Sequence, residues 1–126
     1  MSKNTSPLEA EEQVQFVEYC KIRGIRAVST QNGFKMPKAG FNFAAYSKKL
    51  KKMGLSKGFP DLIVLKKCKS NKHHCLFIEM KRQKGGRLSK EQKCWVNWLD
   101  ENGYAVGIAK GYEVAVKILN KYLEIS

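Results

Sequence analysis

Gly58-Phe59-Pro60-Asp61-Leu62-Ile63-Val64-Leu65 and Leu76-Phe77-Ile78-Glu79-Met80-Lys81 are the two runs whose reading decides the fold. Each is an apolar run of strand length, and the polar 66–75 segment between them reads as a hairpin loop. Side chains alternate between the faces of a strand, so Glu79 and Lys81 project to the same side. Antiparallel pairing of the two runs brings Asp61, at the entrance of the first, near Glu79. Two carboxylates and an ammonium then converge at the edge of an apolar sheet, an arrangement suited to a divalent cation.

The surrounding chain is small and basic. Its 126 residues favour one domain with one modest core, with residues 1–7 as a flexible lead-in and 8–126 as the domain. Lys and Arg number 24 against 11 Asp and Glu, a formal net charge of +13 with a pI near 9.7. Such a surplus repels itself on folding and points to a polyanionic partner, nucleic acid first. A membrane surface fits less well, because no basic amphipathic helix with large apolar anchors stands out. No apolar run is long enough to span a bilayer, and the polar, acidic N-terminus lacks the pattern of a signal peptide. The scattered Cys20, Cys68, Cys75 and Cys94 read as reduced thiols of a cytoplasmic protein. Cys68, His73, His74 and Cys75 lack the short paired spacing of structural zinc sites, so a solvated hairpin loop is expected there.

Taken in order, residues 8–23 read as a helix capped by Ser6, with Pro7 at its first position and Glu9 closing a capping box. Val14, Phe16, Val17 and Cys20 form its apolar stripe, with Glu9 and Gln13 on the edge of the stripe and Glu12 further round. Gly24 ends it. Residues 25–31 read as a strand, Asn32-Gly33 as a turn, and 34–43 as a basic, aromatic loop. Residues 44–53 form a short helix carrying Lys48, Lys49, Lys51 and Lys52. Those lysines are either a solvated face or a phosphate-contacting patch beside Asp61. Strands follow at 59–65 and 75–81, then a basic loop at 82–87. Ser89-Lys90-Glu91-Gln92 has the pattern of a capping box opening a helix, whose apolar surface is Trp95, Val96, Trp98 and Leu99. A strand at 104–109 and a helix at 111–123, with Val114, Ile118, Leu119 and Tyr122 turned inward, close the chain. The order α-β-α-β-β-α-β-α predicts an α/β fold, a mixed central sheet of about four strands flanked by helices.

Phosphodiester hydrolysis requires acidic ligands to hold a metal, a metal to polarise phosphate and acidify water, and a cationic group to orient the nucleophile or neutralise developing charge. Asp61 and Glu79 can supply the ligands, the Met80 backbone carbonyl a third oxygen, and Lys81 the last function. Glu-x-Lys alone is a common tripeptide and reads equally as an exposed ion pair. It gains weight from Pro60-Asp61 before it, the apolar lead into Glu79, the basic loop after it, and the overall charge.

With those residues in place, the chain resembles the PD-(D/E)XK nuclease superfamily, through Pro60-Asp61 and Glu79-Met80-Lys81. More narrowly it is similar to the small stand-alone VRR-NUC (virus-type replication-repair nuclease) domains of phage and bacteria. That likeness is carried by 58–62, 77–81 and Gly86-Arg87-Leu88-Ser89-Lys90-Glu91-Gln92, and also fits 103–106, Glu9 to Gln13 and Asn32-Gly33. It runs from about Leu8 to Leu123. The resemblance implies a restriction-endonuclease-like core and Mg²⁺- or Mn²⁺-dependent DNA cleavage. Asp61 and Glu79 would be metal ligands and Lys81 the residue that positions water. An acid on the first helix completes many such sites; Glu9 is the choice here and Glu12 the runner-up. Gln92 either faces the site or partners Ser89 in the capping box, and both can hold. DNA contacts are expected from Lys48, Lys49, Lys51, Lys52, Lys57, Arg82, Lys84 and Arg87. The resemblance also implies action on branched DNA such as four-way junctions. Two symmetric cuts from chains with one site each then imply a homodimer. Phe41, Phe43, Tyr46, Trp95 and Trp98 are candidate exposed aromatics. The competing readings are a non-catalytic nucleic-acid-binding module, which has no need of acids near phosphate, and a nuclease of flap, nicking or homing specificity.

Overall fold

The structure, a computed structural model, describes residues 8–30 and 42–126, without the side chain of Phe43. Four helices and four strands alternate as α1 (Glu9–Ile22), β1 (Arg26–Ser29), α2 (Phe43–Lys52), β2 (Leu62–Leu65), β3 (Leu76–Lys81), α3 (Lys90–Glu101), β4 (Ala105–Lys110) and α4 (Tyr112–Leu123). The strands form one mixed sheet in the order β1-β2-β3-β4, with the first two pairings antiparallel and β3-β4 parallel. The hairpin and the β3-α3-β4 crossover account for that mixture. The expected α/β class and element order are therefore observed. Asn32-Gly33 and the loop to Phe41 lie outside the described residues, as do Ser6 and Pro7.

Strand alternation divides the sheet into two chemically different faces. Leu62, Val64, Leu76, Ile78, Met80 and Ala109 point to one side, where they form the core with Phe16 and Cys20 of α1 and Ala115, Leu119 and Tyr122 of α4. Along β4 the residues on this face are Ala105, Gly107 and Ala109. Their small size lets α4 lie close: a Cβ on Gly107 would sit 2.9 Å from Ile118 Cγ2. The other face carries Phe77 and Glu79 and meets α3. A closed circuit of edge-to-face and stacked rings (Phe59, Phe77, Tyr104, Trp98 and Trp95) fixes α3 there, with neighbouring centroids 5.0–6.3 Å apart.

Several local expectations are corrected. Helix α1 is capped at Leu8, two residues later than the Ser6 reading, and Glu11 Oε1 accepts the Leu8 N–H at 3.0 Å. Val14 is 62% exposed, because the helix meets the core through Phe16 and Cys20, with Val17 and Tyr19 packed beside them. Glu12 is buried instead of lying outside the stripe, because polar donors meet it there. Val114, expected inward, is also substantially exposed, while Trp98 is exposed as its candidacy as a surface aromatic allowed. The 66–75 loop is not wholly solvated: Cys68 is buried, and its Sγ accepts the His73 N–H at 3.3 Å. β2 begins at Leu62, so 59–61 precede the ladder.

Candidate metal centre

The hairpin register creates the site. Leu62 pairs with Ile78 and Ile63 with Phe77, so one step outward Asp61 faces Glu79, both on the α3 side of the sheet. Asp61 is held at two points. Its backbone C=O accepts the Thr30 N–H at 2.9 Å, and its carboxylate Oδ2 accepts the Met80 N–H at 2.7 Å. Thr30 Oγ1 also donates to the Pro60 carbonyl at 2.6 Å. Proline has no N–H for the ladder, and the Asp61 side chain satisfies the neighbouring strand in place of a backbone partner.

Glu9, the first residue of α1, reaches the same point from the opposite helical layer. One carboxylate oxygen from each of Glu9, Asp61 and Glu79 lies within 4.8 Å of the other two. Glu79 is only 1% exposed. Its Oε2 accepts from Gln92 Nε2 at 3.3 Å and lies 4.0 Å from Lys81 Nζ. Its Oε1 is buried and has no donor. Burial, then a hydrogen bond and charge from Asp61, push the Glu79 carboxyl from 4.5 to about 9, with Lys81 opposing and Glu9 adding to the rise. The Glu9 carboxyl is raised too, by burial first, with Lys81 lowering it and Asp61 adding to the rise.

Gln92 takes both roles that its place in the chain allowed. Its Oε1 accepts the Ser89 N–H at 2.8 Å while Ser89 Oγ accepts the Gln92 N–H at 3.1 Å, closing the capping box of α3. The amide nitrogen is then left pointing at Glu79. Gly58 makes this meeting possible. Its φ of 89° is in the left-handed region, and a Cβ there would lie 2.6 Å from the Glu91 carbonyl carbon and 2.7 Å from the Gln92 nitrogen. The start of α3 therefore packs directly on the segment leading into Asp61.

The donors suit a hard cation. Carboxylate oxygens are the ligands Mg²⁺ and Mn²⁺ prefer, and Glu79 Oε1 is a buried oxygen with no donor, beside two further acids. Met80 has its side chain in the core and its N–H on Asp61. Glu12, the alternative acid, turns away to Gln83 and the start of α4. No grouping of His and Cys around the 66–75 loop joins this acidic trio among the described residues. Lys48, Lys49, Lys51, Lys52, Lys57, Lys84 and Arg87 are exposed and Arg82 is half-buried.

The VRR-NUC domain family matches residues 36–113, more than half of the chain. The chain belongs to the VRR-NUC family. This assigns it to the nucleases, and the matched stretch contains Asp61, Glu79, Lys81 and Gln92, while Glu9 precedes it. A solved structure described as a "VRR_NUC domain protein" superposes on this VRR-NUC chain with a TM-score of 0.66 at 23% identity, over 94% of this chain and 90% of the other. That likeness establishes the shared fold. A comparison with curated proteins finds no significant match. No helix among the described residues is long and apolar enough to cross a membrane.

Thr30, Gly58 and Gln83 carry functions that the sequence pattern did not announce. Thr30 sits at the end of an ordinary short strand, and its bond to Pro60 depends on the β1-β2 register. The glycine in Gly58-Phe59-Pro60-Asp61 was a visible signal, but its cause is an approach to α3 that no local pattern encodes.

Proposed function

We propose that this nuclease is a divalent-metal-dependent DNA endonuclease that cuts branched DNA, such as a four-way junction, as a homodimer. The observation that carries the reading is the convergence of Glu9, Asp61 and Glu79 within 4.8 Å, beside Lys81, in a chain of net charge +13. Glu9, Asp61 and Glu79 would each give one oxygen to Mg²⁺ or Mn²⁺, with the Met80 carbonyl as a further ligand. When bound, the cation polarises the scissile phosphate and lowers the pKa of water. Gln92 holds Glu79 Oε2 and so leaves Oε1 for the ion. Lys81, held at the end of β3, orients the attacking water and offsets negative charge growing on the phosphate. The water oxygen bonds to phosphorus and gives up a proton to solvent as the bond to the leaving sugar oxygen breaks, and that oxygen takes up a proton from solvent.

The lysines of α2, with Lys57, Arg82, Lys84 and Arg87, contact the DNA backbone on either side of the site in the sequence. One acidic centre per chain makes one cut, so symmetric resolution of a junction calls for a two-fold pair of chains. A cleavage assay on labelled duplex, flap, single-stranded and four-way-junction DNA, with Mg²⁺, Mn²⁺ or EDTA, tests this. Metal-dependent paired nicks placed symmetrically about the branch are expected, with a dimer in sedimentation. Absence of metal-dependent cutting on every substrate overturns the catalytic reading; random nicking of plain duplex overturns the junction preference.

A further inference from the structure

Two segments that carry part of the acidic centre, the start of α1 and the end of β3, are tied to each other and to the start of α4 one step behind it. Glu12 lies one turn after Glu9 on α1 and is 2% exposed. Its Oε1 accepts two hydrogen bonds, from Gln83 Nε2 at 3.0 Å and from the Tyr112 backbone N–H at 2.9 Å. Gln83 is two residues beyond Lys81. Tyr112 opens α4, whose N-cap is Gly111 and which therefore has no capping side chain of its own. Glu12 supplies that cap from another helix, where a carboxylate also suits the positive end of the helix dipole. The Gly111 N–H in turn donates to the Lys81 carbonyl at 3.0 Å.

Gly111 is what lets this junction close. Its φ of 97° is in the region reserved for glycine, and a Cβ would stand 2.6 Å from Gln83 Cγ and 3.0 Å from Glu12 Oε2. The connection is therefore built for close approach. It links the helix that begins with Glu9 to the strand that ends with Lys81.

The first turn of α1 has little else to hold it. Leu8 is exposed, Glu9 is only half-buried, and Glu11 is exposed. The first apolar anchor, Phe16, is nearly two turns further along. Terminal turns fray unless tied down. A cation at Glu9, Asp61 and Glu79 requires that turn to stay in place.

We infer that Glu12 and Gln83 are positioning residues, a latch that fixes Glu9 against Asp61, Glu79 and Lys81 and so sets the affinity of the metal centre. This rests on the metal-dependent reading above. Glu12 touches neither the ion nor DNA; it acts through Glu9.

The test is Mn²⁺ binding to the intact protein without DNA, read as free Mn²⁺ by electron paramagnetic resonance, with unfolding followed in parallel. Glu12→Ala should weaken Mn²⁺ binding roughly tenfold, the low end for groups that orient a metal's ligands. Glu12→Gln, which keeps an oxygen for both donors, should restore most of it. The deciding comparison is made with Glu9 removed: Glu9→Ala/Glu12→Ala should bind no more weakly than Glu9→Ala. A structural role alone would give the same loss with and without Glu9, and that result overturns the latch. If Glu12→Ala does not fold, Gln83→Ala keeps the Tyr112 bond and should show a smaller loss in the same direction; unchanged binding there overturns the proposal. Wild-type protein that binds no Mn²⁺, or Glu79→Gln that binds as tightly as wild type, refutes the metal centre itself and the latch with it.

Discussion

Mn²⁺ added at neutral pH should expel close to one proton per site. Without a cation, burial and the neighbouring Asp61 push the Glu79 carboxyl from 4.5 to about 9. At pH 7 the carboxyl therefore largely holds its proton. A carboxylate ligates in its ionised form, so the ion and the proton compete for the same group. Binding should then release about one proton at pH 7, and apparent affinity should rise about tenfold per pH unit until the pH nears 9. Glu9, raised in the same direction, adds to the release at the acid end. Calorimetric titrations in two buffers of different ionisation enthalpy count the protons. Release of none across pH 6 to 8, or equal release from Glu79→Gln, would refute the reasoning.

The same proton sets how stability depends on pH. Between about 4.5 and 9 the folded chain holds it and the unfolded chain does not. Unfolding then releases a proton, so stability is full below pH 4.5 and falls as pH rises, by at most about 1.4 kcal/mol per unit. Saturating Mn²⁺ replaces the proton and should flatten that slope. Denaturation midpoints at three pH values, with and without the ion, measure it, and Glu79→Gln should be flat in both.

Other consequences separate chemistry from architecture. Asp61→Asn keeps an acceptor for the Met80 N–H and should lose cleavage while costing less than about 1 kcal/mol of stability; Asp61→Ala strands that buried donor and should cost about 1–3 kcal/mol, by chemical denaturation. Gly58→Ala must move the Glu91–Gln92 backbone from within 2.6–2.7 Å and adopt an unfavourable φ, so it should destabilise by roughly 1–3 kcal/mol and lower kcat through Gln92. Removing the four charges of Lys48, Lys49, Lys51 and Lys52 should weaken DNA binding and reduce the slope of log K against log salt by up to about 3.6, with kcat on saturating DNA unchanged.

How far the site was legible depended on whether its geometry is local. Asp61 opposite Glu79, and Lys81 beside Glu79, follow from strand alternation and a hairpin, so the residues alone placed them. Glu9 was chosen over Glu12 through its position on the edge of the α1 stripe, and the structure does bring Glu9 to the other two acids. Yet the buried face differs from the apolar stripe: Val14 is exposed and Glu12 buried. Burial on α1 is not set by apolar pattern alone. Glu12 is buried because Gln83 and the uncapped start of α4 meet it there, and those donors are 71 and 100 residues away in sequence. Thr30 on Pro60 has the same character. A hydrogen bond between distant segments leaves no periodicity to read.

The proposed function asks the chain to attract two oppositely charged ligands, which it would do by acting at two length scales. A net charge of +13 attracts polyanions over distances comparable to the Debye length, about 8–10 Å in ordinary salt, and repels cations over the same range. The acidic trio reverses that sign only at contact, with oxygens inside 4.8 Å and one acid nearly fully buried. Screening acts strongly on the first field and weakly on the second, so rising salt should release DNA from the exposed lysines while leaving the buried carboxylates in place. The placement of the acids serves both ends. Gathered in one spot they could hold a cation; spread along the surface they would weaken the field that would bring in DNA. On the proposed reading, phosphate would contribute oxygens where the acids already stand, and the lysines of α2 and the basic loop after β3 would offset its charge. The acids and lysines would then not compete, because DNA would meet the lysines along its backbone and the acids only at the phosphate to be cut.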